Sequence, residues 1–142
     1  MKLYKSQITP MRPAEGEEEF SFSKGECQNA SPLLEAPKVR FSYEAYRGEG
    51  DELIVGYSLW AEVVLLDSYD AKPFADTVEE EGETLILEAY DEEGDGYVFS
   101  GGSFETKELA FCLLRSAIPL SPKRKGSRLP NSDVGISIYR EK

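Results

Sequence analysis

From Leu53 onward every odd-numbered position is apolar as far as Leu65: Leu53, Val55, Tyr57, Leu59, Ala61, Val63, Leu65. This is the period-two signature of a strand with one face on a core. At about 3.3 Å per residue the run to Leu66 reaches roughly 45 Å, so a bend is expected, with Gly56 its natural place. Upstream, Val39, Phe41, Tyr43 and Ala45 repeat the alternation, and the turn-rich residues 47–51 separate the two runs. That order predicts a β-hairpin with a longer loop than the tightest type, whose apolar face needs a third strand or a helix to cover it.

Residues 84–90 (TLILEAY) predict another strand, Phe20-Ser21-Phe22-Ser23 a short one, and Val134, Ile136 and Ile138 a last one. The acidic stretches 15–19, 79–83 and 91–96 read as solvated loops, as does 25–37; residues 1–19 and 91–96 are expected to be flexible. After Gly101-Gly102 the period changes. Thr106 to Ala117 is rich in helix formers, with Leu109, Cys112, Leu113 and Ala117 on one face and Pro119 as the stop. Strands followed by one helix predict an α+β domain over residues 1–142, a mostly antiparallel sheet covered by a C-terminal helix. The alternative is a small all-β barrel plugged by that helix.

Composition narrows the chemistry. The 142 residues carry a formal charge of -11 and no histidine, which removes the commonest general base and the commonest metal ligand together. Cys27 and Cys112 have no CxxC spacing, so they read as reduced cytosolic thiols rather than a disulfide framework or a zinc site. No apolar run has the length of a signal peptide or a membrane span, so a soluble cytoplasmic protein is expected. The charge is unevenly placed: residues 1–112 hold 9 basic and 25 acidic side chains, residues 113–142 hold 7 and 2.

Three groups invite a functional reading. Asp91, Glu93, Asp95 and Gly96 match the first half of a calcium loop, but Gly102 stands where the bidentate glutamate belongs; a solvated loop is the better reading. Asp67 and Asp70 form a D-x-x-D pair at a strand end, suited to Mg²⁺ or acid and base work, though aspartates there more often build turns. Lys123, Arg124, Lys125 and Arg128 form the dense cationic patch of an acidic chain, in an exposed loop at 121–133. Such a patch either solubilises or contacts nucleic-acid phosphate. Tyr57 and Trp60 on the long strand could stack on bases, but one in the core and one over a sheet face is the plainer expectation.

The long strand leads into Asp67-Ser68-Tyr69-Asp70-Ala71-Lys72-Pro73-Phe74, followed by an acidic span to Gly96 and by Ala117-Ile118-Pro119-Leu120-Ser121-Pro122 after the helix. In order and spacing, from about Val39 to Pro130, this resembles the YceD family, the large ribosomal RNA subunit accumulation proteins. That family reads as a hairpin, a long strand ending in Cys-Ser-x-Cys-Leu-x-Pro-Phe, an acidic linker, and a helix running into Ala-Leu-Pro. Ser68, Pro73, Phe74, Ala117 and Pro119 are the best fixed points. Asp67 and Asp70 replace the two motif cysteines, and the cysteine-rich stretch after the helix is Lys123-Arg124-Lys125-Gly126-Ser127-Arg128-Leu129-Pro130. Two carboxylates make a harder, weaker zinc site than two thiolates, so a fold without metal or cofactor is expected.

The resemblance implies a bacterial cytoplasmic, non-enzymatic factor in 23S ribosomal RNA accumulation and ribosome assembly. Its acidic body would meet basic ribosomal or assembly proteins while Lys123, Arg124, Lys125 and Arg128 touch RNA. The alternatives are a protein-interaction module that docks a basic partner without RNA, and an enzyme using Asp67 and Asp70 with a divalent ion.

Overall fold

In the computed structural model, residues 1–89, 96–119 and 122 are described. The two alternating runs form β3 (Leu33–Arg47) and β4 (Leu53–Leu66), antiparallel partners joined by the turn at residues 48–52. Past the β3 irregularity the buried side chains are odd-numbered, with Val39, Phe41, Tyr43 and Ala45 on β3 and Leu53, Val55, Leu59, Ala61, Val63 and Leu65 on β4, Tyr57 being half-buried. Each such aliphatic or aromatic side chain contributes about 1.5–3 kcal/mol relative to an exposed one, so alternation alone fixes which face looks inward. The β4 ladder runs through Gly56 with no register shift; the irregularities fall on β3, between Leu33 and Lys38. Pro37 lies in that interval and cannot donate a ladder bond, which is why proline in a sheet is confined to bulges and edges.

Two acidic stretches depart from the loop expectation. Residues 15–19 belong to β2 (Ala14–Phe22) and residues 79–83 to β5 (Pro73–Leu87), which flank the hairpin. Their glutamates are tolerated because one face of these strands meets water while the backbone pairs with β3 or β4. The segment 25–37 is likewise shorter as a loop than expected, since β3 starts at Leu33. The chain then adds β6 (Gly96–Val98), parallel to the end of β5, and β7 (Ser103–Glu105), which pairs with β1 (Lys2–Tyr4) in a separate two-stranded sheet. The larger sheet, in the order β2-β3-β4-β5-β6, is mostly antiparallel and does not close into a barrel, so the α+β architecture holds.

Helix α1 (Thr106–Ala117) covers the inner face and packs against β4, β5 and β7. Its buried stripe is Leu109, Ala110, Leu113 and Leu114, rotated from the expected one. Cys112 and Ala117 are only half-buried. Ile118, extended at φ -85 and ψ 129, ends the helix one residue before Pro119, the conformation a following proline imposes. At the other end Thr106 is fully buried and its backbone N–H donates to the Met1 carbonyl at 2.9 Å, tying the helix start to β1.

Candidate interaction surface and the motif turn

Period two puts β2, β3, β4 and β5 side chains alternately inside and outside, and the register aligns the outward ones in rows. One row is Glu15, Glu44, Gly56 and Glu83; the next is Glu17, Ser42, Ser58 and Glu81; the third is Glu19, Arg40, Trp60 and Glu79. Glutamates therefore stand along both margins, on β2 and on β5, with Gly56, Ser42 and Ser58 between them in the first two rows beside Glu44, and Arg40 and Trp60 in the third. With strands about 4.8 Å apart, the margins are roughly 14 Å from one another. Cations are few on this face. Arg40 lies 3.8 Å from Glu19 and 5.0 Å over the Trp60 ring, and Lys38 follows in the next row opposite Glu62. Like charges aligned over a low-dielectric sheet sum to a field that attracts cations at a distance and repels phosphate. A hollow of about 470 Å³ opens between β4 and β5, lined by Ser58, Leu59, Trp60, Glu79, Glu80 and Glu81. Tyr57 points inward and packs on the core, and Trp60 covers the outer face, as one of the two expected arrangements had it.

At the end of β4 the D-x-x-D pair builds a turn. Asp67 is 1% exposed. Its Oδ1 accepts from the backbone N–H groups of Tyr69 at 2.7 Å and Asp70 at 3.3 Å, while Asp70 Oδ1 accepts from the N–H of Lys72 at 3.0 Å. This is the local side-chain to backbone bonding that makes aspartate a turn former. Ala71 completes the reversal at φ 56, and Pro73 and Phe74 open β5. Ser68 is exposed, and its backbone N–H donates to the Pro122 carbonyl at 2.8 Å. The turn and the residue that precedes the basic run are thus brought together. Lys123, Arg124, Lys125 and Arg128, the last predicted strand and most of the calcium-like loop lie outside the described residues. Among the described residues, no group of three or more His, Cys, Asp or Glu side chains is placed to hold a metal ion.

The two thiols are free. Cys27 is buried, and Cys112 borders two hollows beside α1, one of about 330 Å³ reaching Pro32, Tyr97 and Arg115 and one of about 480 Å³ walled by Phe22, Phe99 and Phe111. Burial pushes both thiols above the ordinary value, which keeps them protonated and poorly nucleophilic near neutrality. Among the described residues no helix is long and apolar enough to cross a membrane.

The acidic margins were missed as strands because their glutamates hide the alternation. A weak signal was present: Phe74, Val78, Thr84 and Ile86 share one parity across residues 73–87. No family model, curated protein or solved structure matches the chain.

Proposed function

We propose that this chain is a non-enzymatic cytoplasmic factor in the accumulation of large-subunit ribosomal RNA, acting by docking a basic protein on the acidic outer face of its sheet. The supporting observation is the pair of glutamate margins on β2 and β5, aligned by register on either side of β3 and β4. Basic proteins that assemble on ribosomal RNA carry the complementary charge, and a field of this kind speeds encounter and suppresses wrong partners. The order of hairpin, long strand, Asp67-to-Phe74 turn and helix is also that of the YceD family it resembles.

RNA contact is assigned to Lys123, Arg124, Lys125 and Arg128. They follow Pro122 in the sequence, and the Pro122 carbonyl accepts from the Ser68 N–H at the end of the sheet. Replacing these four with serine is expected to lower RNA affinity and flatten its salt slope.

A second reading is docking of a basic partner without RNA, favoured by the repulsion between the acidic face and phosphate. Affinity capture from nuclease-treated lysate, together with sedimentation on ribosomal precursors at low and high salt, tests both. The proposal expects a basic partner retained without RNA, its loss in a Glu79→Gln, Glu81→Gln, Glu83→Gln variant, and salt-sensitive association with large-subunit precursors. A retained partner with no particle association supports the second reading, and absence of both overturns the two together.

A further inference from the structure

The larger sheet ends on β2 at one side and on β5 with the short β6 at the other. On the inner parity of β2, opposite buried Phe41, Glu18 meets the Thr106 hydroxyl and lies 3.4 Å from the Met1 ammonium, so residue 1 and the start of α1 contact that strand on its inner face. Along β5, β6 pairs only with residues 85–87. Residues 74–84 pair with β4 on one side, and among the described residues no strand lies on the other. That stretch is roughly 35 Å of backbone whose outward N–H and C=O groups have no ladder partner among the described residues.

The charge on this edge selects what adds to it. Glu79, Glu81 and Glu83 lie on its outer side, in register with Trp60, Ser58 and Gly56, whereas Asp76 and Glu80 share the inner parity of the buried Val63 and Leu59 they oppose; all five are exposed. Pairing with the same edge of a second copy sets carboxylates against carboxylates, which like charges on adjacent strands oppose. A cationic strand meets the reverse situation. Because acids stand on both sides, its favourable positions are successive residues rather than alternate ones. The hollow formed by Ser58, Trp60, Glu79 and Glu81 offers an indole wall and a carboxylate rim, the lining that a lysine or arginine stem and its charged head require.

We infer that residues 74–84 of β5 take up an extended lysine- and arginine-rich segment of a partner protein as an added strand. This rests on the docking reading above and specifies its mode: backbone pairing supplies affinity and the flanking carboxylates supply selection.

The test uses the full chain and a short capped peptide of lysine, arginine and valine, with binding followed by fluorescence anisotropy. Two further peptides carry N-methyl groups on the odd or on the even residues. In an edge strand only every second N–H faces the ladder, so one methylated peptide is expected to bind at least about tenfold more weakly and the other close to the parent. Parent-like binding by both methylated peptides, or an equal loss in both, overturns strand addition and leaves charge-driven docking standing. No binding of the parent peptide overturns strand addition and the docking reading alike.

Discussion

The backbone N–H of Ser68 donates to the carbonyl of Pro122 at 2.8 Å, so the turn that closes β4 and the chain beyond α1 meet at one end of the sheet. Asp67 organises that turn from a buried position through two backbone N–H groups. Asp67→Ala removes their acceptor and is expected to cost about 1–3 kcal/mol of stability by urea denaturation. Asp67→Asn keeps a carbonyl oxygen and costs less. Equal losses in the two variants would show that the Oδ1 acceptor is not what holds the turn.

Ala71 adopts φ 56, a conformation that costs an L-residue about 1–2 kcal/mol. Glycine avoids the clash but raises the entropy of the unfolded chain, which offsets part of the relief, so Ala71→Gly is expected to gain about 0.5–1 kcal/mol. Ala71→Val is expected to lower the melting temperature. A loss on substitution by glycine would contradict the strain argument.

Glycine at position 96 lets β6 approach β5, since a Cβ there would press on the Leu85 carbonyl and its own Cβ. At position 16 a Cβ would instead meet the hydroxyl end of the Tyr43 ring, which stacks on Phe41 at 5.4 Å. Backbone yields less than a side-chain end, so Gly96→Ala is expected to destabilise more than Gly16→Ala, each within about 1–3 kcal/mol. Thermal melts of the two variants rank them.

Two exposed carboxylates titrate below their ordinary value of 4.5. Glu26 is lowered first by the Ser23 backbone N–H and then by Lys107, and Glu88 first by its hydrogen bond from Lys5. A depressed carboxylate contributes stability that is present above its unfolded pKa and is lost as pH falls through the folded value. The melting-temperature difference between the wild type and Glu26→Gln, or Glu88→Gln, is therefore expected near pH 7 and should vanish in acid below the folded value. A difference that persists there would assign the effect to packing.

Burial raises both thiols. Iodoacetamide at neutral pH is expected to modify half-buried Cys112 more slowly than a small free thiol, and Cys27 only after denaturant is added. Mass spectrometry of the native protein gives the order; rapid double labelling would refute it.

The hairpin and the helix were legible because their determinants are local. Alternation from Val39 to Leu65 carries its own inward face, and a run of helix formers stopped by Pro119 carries its own end. The acidic edges were not legible, since a glutamate in β2 or β5 is held by pairing to β3 or β4 rather than by preference for a strand. The pairing of residues 2–4 with 103–105 had no local trace at all. The helix stripe was nearly right, but Tyr97 directs its hydroxyl to the Cys112 carbonyl at 3.4 Å and lies along the flank on which Cys112 was expected to bury. At the site, the turn-forming reading of Asp67 and Asp70 agrees with their hydrogen bonds, whereas the surface that now carries the functional proposal was scattered over four strands and visible only in register.

The place of α1 at the end of the described order has a consequence for synthesis. Strands β2 to β5 pair with sequence neighbours and can assemble as soon as they emerge, but Leu109, Leu113 and Leu114 are translated after all of them. Until then Leu59 and Val63 line a sheet that lacks the helix packed on β4 and β5. The nascent chain thus passes through a stage with a greasy inner wall and a charged outer one, during which a chaperone has a surface to hold and the outward carboxylates keep neighbouring chains apart.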